Sequence, residues 1–309
     1  MIFKDFGKLG WPVSAVSLGT WNIGNQWGDI DDATAWATVR SAYDNGVNLF
    51  DTAESYGIPN GLSEQRLGVA LAGIRHNVYI VSKIGNWGKR TGDGVPKNSV
   101  DMFRLCGHGI VGRLRTDYID VVLCHEGNLE DPTMYLEGFE ALKDEGYIRA
   151  YGISTNSLDV LKNFNVNGTC SVVQVDYSLL NRAPEAEFLP YCQQNGIAVM
   201  VRGPLAMGLL SGRYSKDTKF EDTVRTRWHQ SDEQQAAFEA KVDKVEKLKG
   251  VVEPGEAMVT AALRFAASHP AVSTVIPGAK SAQQAATNAQ AGDRLLDESE
   301  LAALTNAVG

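Results

Sequence analysis

Residues 117–155, DYIDVVLCHEGNLEDPTMYLEGFEALKDEGYIRAYGIST, contain one complete strand–helix–strand unit. The runs Ile119–Leu123 and Ala150–Ser154 are short and rich in apolar residues, which is typical of strands buried on both faces of a parallel sheet. Between them, Met134–Glu145 has helical periodicity, and Gly146 stands where a left-handed residue would end that helix. A helix between two buried strands predicts a parallel crossover unit.

The same alternation continues on both sides of this unit. Further strands are predicted at Val16–Leu18, Asn48–Phe50, Val78–Lys83, Val172–Val175, Ala198–Val201 and Val272–Ile276. Further helices are predicted at Asp32–Asn45, Ser63–Ala72, Leu158–Phe164, Ala186–Asn195 and Ala257–Ala267, with Gly46, Gly73 and Gly196 ending three of the helices. Roughly eight such units in succession predict an α/β fold of the closed (β/α)8, or TIM, barrel type rather than an open sheet. We also expect an N-terminal hairpin around Lys8–Gly10 that plugs the lower end of the barrel, a long βα loop over 205–230, and one domain over 1–309.

The composition of the chain argues against some classes of binding partner. The chain has 309 residues, a net charge of −8 and a pI of about 5.2, which argues against nucleic acid or an anionic membrane as the main partner. The four cysteines (106, 124, 170 and 192) show no C-x-x-C spacing, so we expect reduced thiols and neither a metal site nor disulfides. No apolar run resembles a signal sequence or a membrane span, which predicts a cytoplasmic protein.

Polar residues follow three consecutive predicted strands. The segment NLFDTAESYG places Asp51 at the end of one strand and Tyr56 just beyond it, and the next two strands lead to Lys83 in VYIVSKIG and His125 in IDVVLCHEG. The carboxyl ends of barrel strands meet on one face, and neighbouring strands lie roughly 4.8 Å apart. We therefore expect these four side chains to converge.

The four residue types suit proton transfer to a carbonyl oxygen. A free tyrosine has a pKa near 10, and we expect the ammonium of Lys83, held by Asp51, to lower the pKa of Tyr56. Tyr56 would then act as a general acid, with His125 donating a hydrogen bond to the substrate oxygen. Taken singly, Lys83 could be a rim ion-pair partner, His125 a structural histidine and Asp51 a helix cap. Their joint placement favours the chemical interpretation.

Nine motifs occur in a fixed order along the chain: LGTW (18–21), FDTAESYG (50–57), GLSEQRLGVAL (61–71), VSKIG (81–85), LRTDYIDVVLCHE (114–126), YGIS (151–154), QVDYSLLNR (174–182), GPLAMGLLSGRY (203–214) and VIPGAK (275–280). In this order and at these distances, they make the chain resemble the aldo-keto reductase family over essentially its whole length. The resemblance implies a catalytic tetrad of Asp51, Tyr56, Lys83 and His125, hydride transfer from a nicotinamide cofactor, and an aldehyde, ketone or sugar as substrate.

The expected cofactor site follows from the same resemblance. The chain has neither a G-x-G-x-x-G motif after its first strand nor a P-loop, so a Rossmann domain is not expected. The resemblance implies a dinucleotide across the barrel mouth, bound by Gly19, Thr20, Trp21, Asp51, Ser154, Gln174, Arg202, Gly203, Pro204, Leu205, Gly208, Ile276, Gly278, Lys280, Gln284 and Asn288. No Asp or Glu occurs between 278 and 292 to repel a 2′-phosphate, and Lys280 adds a positive charge. This favours NADP(H), with NAD(H) as the open alternative.

Several positions depart from the pattern of many relatives. Arg202 stands where an aromatic residue often stacks on the nicotinamide, and Thr155 stands where an asparagine is common. Gly278 and Gln284 occupy places where relatives often have lysine and arginine, which weakens the preference for NADPH. Glu126 is a neighbour of His125 that could bias its protonation.

Two other functions remain open from sequence. Lys83 could form a Schiff base in a barrel lyase or aldolase, although this gives Gln174 and Lys280 no role. The chain could also be a non-enzymatic, cofactor-binding redox-sensing subunit. We expect aromatic residues at the mouth, namely Trp21, Trp27, Trp87 and Tyr56, and Trp228 in the long loop. They do not indicate which of the possible substrates is preferred.

Overall fold

Eight parallel strands form the central sheet in the computed structural model, which describes residues 1–88, 94–253 and 255–309. Strands β1 (Phe3–Asp5) and β2 (Pro12–Ser14) make an antiparallel N-terminal hairpin, and the barrel strands are β3 (Leu18–Gly19), β4 (Leu49–Asp51), β5 (Tyr79–Ile84), β6 (Ile119–Cys124), β7 (Ile148–Ser154), β8 (Val172–Asp176), β9 (Ala198–Arg202) and β10 (Val272–Val275). They follow one another from β3 to β10, and bridges from Val16 to Val275 and from Gly19 to Gly278 join the two edges. The predicted (β/α)8 barrel is confirmed.

Helices surround the sheet. They are α1 (Asp32–Asp44), α2 (Leu62–Ala70), α3 (Val100–Leu114), α4 (Thr133–Asp144), α5 (Leu158–Phe164), α6 (Phe188–Gln194), α7 (Asp232–Leu248), α8 (Glu256–Ser268), α9 (Ala282–Gln290) and α10 (Glu298–Val308). The six predicted helices agree with these within two residues at each end. Within the described part of the chain, no helix is both long and apolar enough to cross a membrane.

Of the four other helices, α9 carries Gln284 and Asn288 at helical spacing, whereas sequence periodicity missed α3, α7 and α10. Helix α3 contains Gly107, Gly109 and Gly112, which lower helix propensity and interrupt the apolar stripe. Helix α7 is mostly polar and buries only a narrow stripe that includes Phe238 and Val242. Both segments therefore show a weak helical pattern, and tertiary packing decides their structure.

The alternation of side chains along the barrel strands explains why polar residues lie at the mouth. Leu49, Val81 and Leu123 are buried in the cluster that fills the barrel, and the hairpin closes its lower end with Phe6 and Val13. Side chains alternate between the two faces of a strand. The residues two positions further along, where these strands end, therefore also turn inward, at the mouth.

We expect the plug to contribute strongly to stability. Phe6 is fully buried whereas Phe3, in the same hairpin, is 51% exposed. Phe6→Ala should lower the free energy of unfolding by about 3–5 kcal/mol, because it leaves a cavity at the barrel base. Phe3→Ala should change it by less than about 1 kcal/mol. Urea unfolding of both variants measures the difference, and equal losses would contradict the plugging role.

Candidate active site

A buried chain of hydrogen bonds connects the ends of β4 and β5. Lys83 Nζ donates to Asp51 Oδ1 at 2.7 Å, to the Thr52 carbonyl at 2.7 Å and to Tyr56 Oη at 3.2 Å. An ammonium has three protons, so these three acceptors match its full donor capacity. Lys83 is fully buried, and Gln174 Nε2 adds a second donor to Asp51 Oδ1 at 2.7 Å.

Burial and neighbouring charges have opposite effects on the pKa values of these hydrogen-bonded groups. Burial disfavours the ammonium of Lys83, but Asp51 and Tyr56 outweigh that effect, so the pKa of Lys83 is raised. Burial raises the pKa of the Asp51 carboxyl more than Lys83 lowers it. Burial likewise raises the pKa of the Tyr56 phenol, and the nearby Lys83 only partly offsets it. The expectation of a lowered pKa for Tyr56 is therefore wrong in its net direction, and Tyr56 keeps its proton at neutral pH.

The Tyr56 ring lies between two other rings. It stacks on Trp21 with ring centroids 5.8 Å apart, and His125 meets it edge-on at 5.7 Å. Ser55 Oγ lies 3.4 Å from Nδ1 of His125, and the His125 backbone N–H donates to the Ile84 carbonyl at 2.9 Å. The structure thus brings Asp51, Tyr56, Lys83 and His125 together at the barrel mouth.

A cleft of about 1270 Å³ opens directly above these groups. Its wall contains fifteen of the sixteen residues expected at the cofactor, namely Gly19, Trp21, Asp51, Ser154, Gln174, Arg202, Gly203, Pro204, Leu205, Gly208, Ile276, Gly278, Lys280, Gln284 and Asn288. Thr20 is the exception: it is fully buried and its hydroxyl donates to the Asp51 carbonyl at 2.8 Å. Thr20 therefore supports the end of β4 from behind the cleft.

The family model described as Aldo/keto reductase family matches residues 15–308. The chain belongs to the aldo/keto reductase family. Uncharacterized oxidoreductase YqkF of Bacillus subtilis (strain 168) is 32% identical over 304 residues, which cover 97% of this chain and 94% of that protein. The NADH-specific methylglyoxal reductase of Escherichia coli (strain K12) is 35% identical over 224 residues, 66% of this chain and 68% of its own length. An aldo/keto reductase from Klebsiella pneumoniae, solved in complex with NADP and acetate, has 28% identity and a TM-score of 0.73, covering 99% of this chain and 95% of that one.

Amide side chains of this aldo/keto reductase already have partners within the protein. Gln174 uses its nitrogen on Asp51, and Gln284 Oε1 accepts the Lys280 backbone N–H at 2.9 Å. Asn288 Nδ2 donates to the Gly278 carbonyl at 3.3 Å. Each amide therefore uses one polar atom in a hydrogen bond within the protein. Its other polar atom is the candidate contact for a ligand.

The departures from the family pattern have local explanations in this aldo/keto reductase. Thr155 Oγ1 donates to the Gly127 carbonyl at 2.6 Å and so holds the loop that follows His125. A Cβ at Gly278 would overlap the amide oxygen of Asn22, so a lysine at this position requires the Asn22 side chain to move. Glu126 accepts the Asn86 backbone N–H at 3.1 Å, which ties the loop after β6 to the loop after β5.

The outer half of the cleft carries cations that sequence reasoning did not single out, Arg213, Arg225, Arg227 and Lys241. Arg225 bonds to Asp222 at 2.7 Å and lies 4.4 Å above the Phe220 ring. Lys280 donates to the Trp27 carbonyl, and burial, followed by the nearby Arg225, lowers the pKa of Lys280. For the three arginines the only sequence signal was the charged composition of residues 205–230, which has no periodicity, and Lys241 lies further along, on α7.

The aromatic residues of the mouth divide into two groups. Trp21, Trp27, Tyr56 and Trp228 line the cleft. Trp87 does not lie on this wall; Arg113 packs over its ring at 5.5 Å. The prediction that Trp87 lines the mouth is therefore wrong for this structure.

Proposed function

We propose that the protein transfers a hydride between NADPH and the carbonyl group of an aldehyde, ketone or sugar, with Tyr56 as the proton donor. The observation that carries this proposal is the bond between Tyr56 Oη and Lys83 Nζ, whose other two protons go to Asp51 and Thr52. A phenol that is protonated at rest, beside a fixed cation, can give up its proton when an adjacent oxygen becomes negative.

Each side chain has a separate task in this mechanism. Tyr56 gives its proton to the carbonyl oxygen, and Lys83 stabilises the phenolate that remains. Asp51 keeps Lys83 charged and in place. His125 borders the cleft beside the Tyr56 ring and directs the carbonyl oxygen toward Tyr56 by hydrogen bonding. Trp21, which stacks on that ring, limits the ring's rotation.

The cleft fits a nicotinamide dinucleotide. Its volume of about 1270 Å³ exceeds the roughly 300–1,000 Å³ usual for pockets of small ligands, which leaves room for a cofactor and a substrate. The inner end offers the polar atoms of Ser154 and Gln174 to a carboxamide, while Arg225, Arg227 and Lys280 suit phosphate groups further out. When bound, the cofactor supplies the hydride to the carbonyl carbon.

Lys83 is poorly suited to Schiff-base chemistry. A nucleophilic lysine must be neutral, yet Asp51 and Tyr56 hold this buried amine in its charged form. A redox-sensing subunit would use the same residues to bind the cofactor. It would differ from the proposed enzyme only in lacking turnover. A relative that is NADH-specific keeps the preference between the two cofactors open to experiment.

The test is loss of absorbance at the reduced-nicotinamide band. Purified protein is mixed with NADPH or NADH and a panel of aromatic aldehydes, diketones and sugars, with Tyr56→Phe run in parallel. Tyr56-dependent oxidation of either cofactor supports the reaction class. Binding without turnover favours the sensor, and absence of binding contradicts the proposal.

We expect Lys280 to select for the 2′-phosphate. Lys280→Met should raise the Kd for NADPH about 10- to 100-fold and the Kd for NADH less than twofold, because one charged hydrogen bond is worth about 1.5–3 kcal/mol. Fluorescence titration measures both constants. Lys216→Met is the matched control, since Lys216 pairs with Asp243 outside the cleft. Equal effects on the two cofactors would rule out a contact between Lys280 and the phosphate.

A further inference from the structure

A second polar network occupies three consecutive strand ends on the side of the mouth opposite Lys83. Asn156 follows β7, Asp176 ends β8 and Arg202 ends β9. Asp176 and Arg202 are partners in the register of the parallel pair. Asn156 Oδ1 accepts from Arg202 Nη2 at 2.9 Å and from the Asp176 backbone N–H at 3.0 Å. The Arg202 guanidinium is therefore fixed in place.

Arg202 belongs to the inward-facing residues of the barrel. Ala198 and Met200, four and two positions earlier on β9, are buried in the barrel interior. Alternation along the strand then directs Arg202 into the mouth, and it lines the same cleft as Tyr56. Its charge acts on both Asp51 and Tyr56, although burial has the largest influence on each.

The charge of Arg202 is only partly neutralised by the protein. Among the residues that the structure describes, the carboxylate paired with it is that of Asp176, whose Oδ1 is 3.9 Å from Arg202 Nη1. The other oxygen of Asp176 accepts a hydrogen bond from Asn181 at 2.7 Å. The Arg202 side chain remains 39% exposed, and it lines the cleft. Two cations therefore flank the inner end of the cleft, with Lys83 buried below the reacting groups and Arg202 on the opposite wall.

We propose that Arg202 sets the balance between the two oxidation states of the bound cofactor by disfavouring the oxidised form. This inference rests on the proposed function, and on the place of Arg202 beside Ser154 and Gln174, the residues assigned there to the carboxamide of the nicotinamide. The oxidised ring carries a positive charge and the reduced ring is neutral, so a nearby cation repels only the oxidised form. A planar guanidinium can still pack against the neutral ring.

The expected consequence is rapid loss of the oxidised product. A tenfold weaker affinity for the oxidised than for the reduced cofactor corresponds to a shift of about 30 mV in the bound couple, because the transfer involves two electrons. Since product release limits turnover in many enzymes, weak binding of NADP⁺ favours operation as a reductase.

The experiment measures Kd for NADPH and for NADP⁺ by quenching of protein fluorescence in four proteins: the wild type, Arg202→Met, Arg202→Lys and Asp176→Asn. We expect the wild type to bind NADPH at least tenfold more tightly than NADP⁺. Arg202→Met should reduce that ratio about tenfold, mainly by tightening NADP⁺. Arg202→Lys should keep it within threefold, and Asp176→Asn should increase it because it removes the compensating negative charge.

The outcomes separate this inference from the proposed function. A ratio that stays within twofold of the wild type in Arg202→Met, with binding intact, overturns the role of Arg202 and leaves the proposed function standing. Equal weakening of both oxidation states in that variant also overturns it, since it identifies Arg202 as a packing contact alone. Failure of the wild type to bind either oxidation state of NADP(H) or of NAD(H) overturns the proposed function and this inference together.

Discussion

Tyr56→Phe is expected to lower kcat about 10³-fold while the Kd for NADPH changes less than threefold. General acid catalysis contributes typically 10²–10⁴-fold, and the phenol is the group with a transferable proton held against Lys83 at 3.2 Å. The substitution removes one oxygen and leaves the ring, so the stacking on Trp21 and the contact with His125 survive. Single-turnover oxidation of NADPH and fluorescence titration measure the two effects separately.

The matched control for this prediction is Tyr79→Phe. Tyr79 begins β5, at the opposite end of the barrel from Lys83, and its ring stacks on Trp11 at 5.1 Å. It should keep wild-type kcat and Kd. If Tyr56→Phe weakened cofactor binding as much as it lowered turnover, Tyr56 would be a binding residue and the assignment of proton donor would fail.

Strand alternation is what made the centre of the site predictable from sequence. Asp51, Lys83 and His125 each come two residues after an interior apolar residue, and three consecutive strands bring them to the same mouth, with Asp51 in register with Val81 and Lys83 with Leu123. Such residues are fixed by the barrel itself, because a shift of one position would turn them out of the mouth. The position of Arg202 follows the same rule, although its partners Asn156 and Asp176 were not predicted.

Properties that depend on tertiary contacts were harder to predict. Sequence identifies Lys83 as a cation near Tyr56, but only the structure reveals how completely both groups are buried, which reverses the expected direction of the Tyr56 pKa. Thr20 has the sequence neighbours of a cleft residue and nevertheless lies behind the wall. Arg225 depends on the irregular path of the loop between β9 and α7, for which no periodic pattern exists.

Lys83→Met is expected to abolish turnover and also to reduce the free energy of unfolding by about 3–5 kcal/mol at neutral pH. Removing one partner of a buried ion pair leaves the other charge without compensation. Asp51 is only 2% exposed, and Gln174 would be its one remaining side-chain hydrogen-bond donor among those described. The loss should exceed that caused by Tyr56→Phe, which removes no charge.

The pH dependence of Lys83→Met follows from the pKa of Asp51. Burial already raises the pKa of Asp51 in the folded protein, and loss of Lys83 removes the main influence that lowers it. An unfolded Asp titrates near 3.9, so between that pH and the raised folded pKa the folded state binds more protons than the unfolded state. Stability relative to the wild type should therefore fall as the pH rises through this window and be least affected at the acidic end.

The double variant Asp51→Asn/Lys83→Met separates stability from catalysis. It replaces the ion pair with a neutral amide beside an apolar chain, so it should recover most of the lost unfolding free energy and lose the extra pH dependence. It should remain inactive, because no cation is left below Tyr56 to stabilise the phenolate. Urea unfolding at pH 5 and pH 8 and single-turnover assays compare the three proteins. If the single and double variants were equally unstable, or if the deficit of Lys83→Met were the same at both pH values, the uncompensated charge of Asp51 would not be the cause.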